Sequence, residues 1–220
     1  MSIVSGGLVF KRERNLKRPA FAAPPPPGML IWYIGDSGVP VPPETVSGPA
    51  LDECDLWIAD TGFNSPETFE TFFPSQAMDG ETLSSNGNAF TCTSPDPGNF
   101  EVLLNGNGRF NTTAGGDNHL DCSSSGCTFT LGADVCAFGC YVTDVGDFGR
   151  TWTLTATKLS GGTISQTLPG DVNGALVFIG FVDYSGEQYT QVEFTASAGG
   201  SVDAVGFDDI QVLTRAQLGI

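Results

Sequence analysis

ADVCAFGCYVTDVGDF, residues 133–148, is the stretch whose reading decides the fold. Aromatic and β-branched residues (Val135, Phe138, Tyr141, Val142, Val145) suit a pleated surface, and the Asp/Gly run around Gly146 ends it. It reads as one long, largely buried strand running out into a tight turn. Three later runs can pair with it or pack on it. In TWTLTATK (151–158), Trp152, Leu154 and Ala156 share one face and threonines the other. In QVEFTAS (191–197), Val192, Phe194 and Ala196 alternate with Gln191, Glu193 and Thr195. That is the half-buried antiparallel pattern. GALVFIGFVDY (174–184) is continuously apolar and therefore central, and AVGFDDIQVLT (204–214) closes the domain. Together these predict an all-β fold, a jelly-roll-like antiparallel β-sandwich of about ten strands with an extended N-terminal arm.

The upstream half is read in the same way. MLIWYIG (29–35), DLWIA (55–59), NAFTCT (88–93), NFEVLL (99–104) and a short GRFNTT read as strands, and SPETFETFF (65–73) as strand or coil. High glycine (29) and proline (14) with only 15% charged residues suit many short strands and tight turns, and argue against a helical bundle. A chain of 220 residues buries enough surface to fold without a metal or disulfide.

The net charge of −16 conceals a split. Residues 1–28 hold Lys11, Arg12, Arg14, Lys17 and Arg18 against Glu13, a net +4; residues 29–220 hold 4 basic and 24 acidic groups, a net −20. The leader, with its PPPP run, predicts a basic, extended arm spanning 1–28 that lies along a neighbouring protein, joined to a sandwich domain at 29–220. The acidic body repels nucleic acid and anionic membrane. No stretch is long and apolar enough to span a bilayer, and the apolar IVSGGLVF precedes the basic cluster where a signal peptide would follow it, so export by the ordinary route is not expected.

FTLGADVCAFGCYVTDVGD, GALVFIGFVDYSGEQYTQVEFTA and DAVGFDDIQV together resemble the jelly-roll domains of exosortase-sorted (PEP-CTERM type) bacterial surface proteins and related galactose-binding-like, carbohydrate-binding-module-like sandwiches. The resemblance covers about residues 128–213. It implies the sandwich fold and, at Asp208 and Asp209 of the last strand, a structural calcium completed by Asn64, Glu67, Glu70 or backbone carbonyls, with Asp144 and Asp147 as other possible ligands. The family's secretory signal and sorting tail have no counterpart here, and the layout of basic arm plus jelly roll also resembles tailed-phage decoration and fibre proteins.

Other constellations carry an ordinary reading beside a chemical one. Gly35-Asp36-Ser37-Gly38 matches the loop around a trypsin-like nucleophile, but the sole histidine, His119, lies downstream, so a turn is expected. Cys122 and Cys127 can close a disulfide loop or, with Cys136 and Cys140, offer thiolates to zinc; buried free thiols are the alternative. Tyr184 and Tyr189 flank the SGEQ loop and are expected as an exposed sugar-stacking pair, whereas Trp152 belongs to the core. Asn111-Thr112-Thr113 matches a glycosylation acceptor.

These readings point to a non-enzymatic virion protein, a phage capsid decoration (cement) or fibre/tail component. Its arm would anchor it to other virion proteins, and as a homo-oligomer, such as a trimer, it would display the jelly roll. The alternative is a secreted or cell-surface carbohydrate-binding or adhesion module that contacts a host-surface glycan. An exposed aromatic cleft with calcium beside it favours the second, an arm buried against another chain the first, and two facing carboxylates in a groove a third reading, a glycan-degrading enzyme.

Overall fold

A computed structural model describes residues 2–4, 7–10, 28–198 and 203–220. The chain opens with β1 (Ser2–Val4), β2 (Gly7–Phe10) and β3 (Met29–Pro40), followed by one helix, α1 (Gly48–Thr61). Then come β4 (Thr82–Ser85), β5 (Asn88–Thr93), β6 (Phe100–Leu104), β7 (Asn118–Ser123), β8 (Cys127–Leu131) and β9 (Val135–Thr143). The last part holds β10 (Trp152–Lys158), β11 (Thr163–Thr167), β12 (Ala175–Asp183), β13 (Tyr189–Ala196), β14 (Ala204–Thr214) and the short α2 (Arg215–Leu218). The strands form an eight-stranded sheet in the order β1-β2-β3-β12-β9-β14-β7-β6 and a six-stranded sheet in the order β11-β10-β13-β8-β5-β4. All pairings are antiparallel except β2 with β3.

β9 is buried along its whole length, with β12 and β14 as its neighbours. The runs 151–158 and 191–197 lie in the opposite sheet, where Trp152, Leu154, Ala156, Val192 and Phe194 point into the core as their alternation requires. Between the sheets, Phe129, Phe138, Phe194 and Phe207 pack edge-on or tilted with ring centroids 4.7–6.2 Å apart, arrangements that aromatic quadrupoles favour. The second core lies on the outer face of the long sheet, under α1.

α1 corrects the reading of DLWIA as a strand. Its buried residues, Ala50, Glu53, Cys54, Trp57 and Thr61, fall at i, i+3, i+4, i+7 and i+11, one face of a helix. Proline stands in its first turn, and Gly62 (φ 76°) ends it in the left-handed region with its N–H bonded to Ile58 O at 2.7 Å. GRFNTT is likewise not a strand: only an isolated bridge joins Gly106 to Arg109, and the segment loops over the edge of β14. The leader residues Ser2–Val4 and Gly7–Phe10 extend the long sheet beyond β3. The cationic residues Lys11, Arg12, Arg14, Lys17 and Arg18 lie outside the described residues.

Candidate functional site

The outer face of the long sheet carries a row of three residues in register: Gly180 on β12, Gly139 on β9 and Gln211 on β14. The two glycines make room for Trp57: a Cβ at Gly180 would lie 3.2 Å from the indole and one at Gly139 3.4 Å from it. Gly35 on β3 does the same for the start of the helix, since a Cβ there would lie 1.9 Å from Pro49 O. α1 is therefore pressed onto β3, β12 and β9. It does not reach across β14, and there the face opens into a cleft of about 400 Å³.

One wall of the cleft is α1, through Leu51, Cys54, Asp55 and Ile58; the opposite wall is Asn64, Pro66 and Thr68. Thr112, Thr113 and Ala114 close one end, and Tyr141, Asp209 and Gln211 complete the lining. A half-apolar, half-polar concavity of this size is typical of small-ligand sites. Gln211 is 1% exposed, yet its side-chain Oε1 has no hydrogen-bond partner among the described residues. Buried polar atoms are almost always paired. The Tyr141 hydroxyl and the Cys54 thiol are hydrogen-bonded to each other, and burial raises the pKa of both, the thiol to about 12. Neither is a nucleophile near neutral pH.

A bulge shapes the floor. The register between β14 and β9 shifts between Asp208 and Gln211, and Asp209 adopts φ 48°. Strict alternation would send one of the two aspartates inward and the other out. The bulge instead aims both carboxylates at Thr112 and Thr113. Asp208 accepts from Thr112 N–H (2.6 Å), the Thr112 hydroxyl (2.9 Å) and Thr113 N–H (3.2 Å). The same single Thr112 hydroxyl proton is shared with Asp209 (2.8 Å), which also accepts from the Thr113 hydroxyl (2.7 Å). Burial, and then the neighbouring Asp209, push the Asp208 carboxyl well above the usual range; burial also raises Asp209.

This donor set does not fit the calcium expected at Asp208 and Asp209. Calcium takes six to eight oxygens; of the other expected ligands Asn64 lines the same cleft as Asp209, but Glu67 and Glu70 are committed elsewhere. Glu67 accepts from Phe69 and Ser84 N–H, and Glu70 from the Asn111 amide and from Asp117 and Asn118 N–H. Among the described residues no three His, Cys, Asp or Glu side chains gather as a metal-holding group.

The expectation that Tyr184 and Tyr189 stand exposed for sugar stacking is overturned. They are 5% and 1% exposed. The Tyr184 hydroxyl donates to Asp60 O of α1 at 3.3 Å, and the Tyr189 hydroxyl donates to Asp183 at 2.7 Å while its ring packs on Phe181 at 4.7 Å. Both rings turn inward, each hydroxyl finding an acceptor, Asp60 O on α1 for Tyr184 and the buried Asp183 for Tyr189.

The remaining candidates are placed as follows. Cys122 and Cys127 meet across the inter-sheet core with their thiols hydrogen-bonded to each other; all six cysteines are buried and free in this structure. Gly35-Asp36-Ser37-Gly38 is not the expected turn but part of β3, with Gly35 and Asp36 paired to β12; Asp36 accepts from Gly38 N–H, and the Ser37 hydroxyl donates to Val39 O and accepts from Leu176 N–H. His119 is buried with neither ring nitrogen hydrogen-bonded. Beside it Arg109 is ion-paired with Asp121, whose nearest oxygen lies 3.9 Å from the imidazole, too far for a hydrogen bond. Burial and Arg109 lower the His119 pKa to about 4.

Gln211 and Asp55 were not singled out from the sequence. The available signal was the helical spacing around Asp55 and the FDDIQ segment, where two adjacent carboxylates interrupt an otherwise regular strand.

No family model and no curated protein matches the sequence. Several solved structures are similar to it. The K2 cleaved adhesin domain of Lys-gingipain shares 19% identity over 68% of this chain and 97% of its own, with a TM-score of 0.42. A family 61 carbohydrate-binding module solved with β-1,4-galactotriose shares 14% over 67% and 94%, with a TM-score of 0.33. The C-terminal family 22 carbohydrate-binding module of Clostridium thermocellum Xyn10B shares 16% over 70% and 95%, with a TM-score of 0.37. At these scores none of the three assigns a ligand to this chain.

Proposed function

We propose that this chain is a non-catalytic carbohydrate-binding or adhesion module of a secreted or cell-surface kind, and that it takes its ligand in the cleft over β14. The observation that carries this reading is the buried, unpartnered Oε1 of Gln211 at the floor of a cavity of about 400 Å³. Leaving such an acceptor without a donor costs about 1–3 kcal/mol, and a sugar hydroxyl supplies the donor. Leu51 and Ile58 of α1 offer an apolar wall for the C–H face of a pyranose, and Asn64 and Thr113 line the cleft for its other hydroxyls.

The virion role expected from the cationic leader rests on residues outside the described ones, and none of the similar structures reported above is a virion protein. The test is retention on a panel of immobilised glycans, neutral, amino-substituted and acidic. Saturable retention that Gln211→Met abolishes is expected. Retention of no glycan, or equal retention by the variant, refutes the proposal.

A further inference from the structure

We infer that the cleft selects a sugar bearing a free amine, an amino sugar in its cationic form, over neutral and anionic sugars. This rests on the glycan reading above and specifies its ligand class. The inference comes from which polar groups line the cleft. Two carboxylates do, Asp55 on the helix wall and Asp209 on the floor, and no lysine, arginine or histidine does. The nearest unsatisfied group, Gln211 Oε1, is also an acceptor. Thr112 and Thr113 are donors, but their hydroxyls are committed to Asp208 and Asp209.

A ligand in this cleft must therefore bring hydrogen atoms. Hydroxyls satisfy Gln211. An ammonium brings three donors and a positive charge, and charge-assisted bonds to carboxylates are about twice as strong as neutral ones. Asp209 keeps acceptor capacity for it, because a carboxylate has about four lone-pair sites and two are used. The wider field acts in the same direction. Residues 29–220 carry a net −20, and two of their four basic groups, Arg109 and Arg215, are already paired with Asp121 and Asp134. A uronic acid or sulfated sugar would enter against that field and meet two carboxylates without a counter-charge. Burial raises the Asp209 carboxyl above its usual range against the hydrogen bonds from Thr113 and Thr112, which disfavours its charged form; an ammonium beside it would favour that form again.

A lysine side chain carries the same ammonium. The cleft favours a sugar because the acceptor at Gln211 and the apolar wall lie beside the carboxylates, where a ring with hydroxyls reaches all three and a single alkyl ammonium does not.

The experiment is calorimetric titration of the full chain with four oligosaccharides: β-1,4-linked glucosamine, its N-acetylated counterpart, β-1,4-linked glucose and oligogalacturonate. Oligolysine serves as a charge control, and Asp55→Asn and Gln211→Met as variants. Asp55 is exposed, so its variant leaves the fold intact. The wild type should bind the glucosamine oligomer about tenfold more tightly than the acetylated one, a difference of one decade in Kd. Asp55→Asn should shrink that gap to about twofold, weakening the glucosamine oligomer more than the neutral sugar. Gln211→Met should weaken both. Equal or tighter binding of the acetylated or neutral oligomer, or a gap that survives Asp55→Asn, overturns the inference while leaving the glycan reading intact. Oligolysine binding as tight as the glucosamine oligomer and insensitive to Gln211→Met also overturns it, as attraction by bulk charge. Failure of every sugar to bind removes the glycan reading and the inference together.

Discussion

Trp57 packs from α1 over the two glycines of the row that Gln211 ends, and each buries a polar atom with no hydrogen-bond partner among the described residues: the indole Nε1 and the amide Oε1. Such an atom costs about 1–3 kcal/mol in either place. Around Trp57 the cost is offset locally. Burying 150–250 Å² of ring at about 25 cal/mol per Å² returns roughly 4–6 kcal/mol, and the glycine pair beneath lets the ring lie flat against the backbone. Gln211 has no ring, and a cleft lies above it. An unsatisfied atom sealed under a helix thus follows from packing, whereas Gln211 Oε1, equally shut from solvent, belongs to a residue that lines a cleft. The half of the face under α1 is the scaffold, and the half beyond it is the candidate site.

The largest effect should come from breaking the sealed half. Trp57→Ala removes a fully buried ring and should cost about 3–5 kcal/mol. Gly180→Ala, which pushes a methyl to within 3.2 Å of that ring, should cost about 1–3 kcal/mol. Urea midpoints check both. A small loss for Trp57→Ala would mean that α1 is only loosely seated, and the contrast with the cleft would fail.

Acid should expose the next effect, at His119. Its folded pKa, about 4, lies below the ordinary 6.5 because of burial and Arg109. Between those values the unfolded chain binds more protons, so stability is fully present above pH 6.5 and is lost as pH falls towards 4. At pH 4.5 the loss from this group is about 2–3 kcal/mol. Asp144 and Asp147 oppose it. Both are raised chiefly by burial, Asp147 to about 6, so the folded state gains protons there as pH falls and recovers stability. His119→Leu should therefore lose less stability than the wild type between pH 7 and 4.5, with the Arg109–Asp121 pair left in place. Parallel acid profiles would show that His119 is protonated in the folded chain.

Asp208 comes third. Asp208→Ala leaves Thr112 and Thr113 N–H without an acceptor and should cost about 1–3 kcal/mol. The same change should alter ligand binding, because the Thr112–Thr113 segment closes one end of the cleft. A stability loss with unchanged binding would separate the loop from the site.

Period-two alternation made the sandwich legible in the sequence. Trp152, Leu154 and Ala156 could face only one way, and the apolar run around Phe178 could only be central. α1 was hidden because DLWIA, taken alone, is a five-residue apolar run. Its helical period appears only when Ala50 and Glu53 are counted, across charged residues that a strand reading discards. Its terminators, Pro49 and Gly62, stand in the sequence at the spacing of a helix's two ends. The site was half legible. Asp208 and Asp209 stood out, but their partners did not, because a bulge with a left-handed aspartate breaks the alternation from which inward and outward were inferred. Tyr184 and Tyr189 misled because flanking a polar loop says nothing about which way a ring turns. The acceptors that draw them in are side chain and backbone from Asp183 and Asp60.

The smallest expected change in stability is also the sharpest test of the comparison. Gln211→Met keeps length and volume and removes the unpaired amide. If Oε1 is a buried acceptor that only a ligand satisfies, the free protein gives up nothing when it is replaced, and relief of the desolvation penalty should leave stability unchanged or raise it by about 1 kcal/mol. Binding in the cleft should fall at the same time. Function and stability then move in opposite directions, as expected where a site holds an unfavourable group for its ligand. The matching change at Trp57, to phenylalanine, removes the other orphaned N–H but also part of the ring, and should still destabilise. A loss of 2 kcal/mol or more from Gln211→Met would mean that the amide is structural after all, and the two ends of the row would differ only in what covers them.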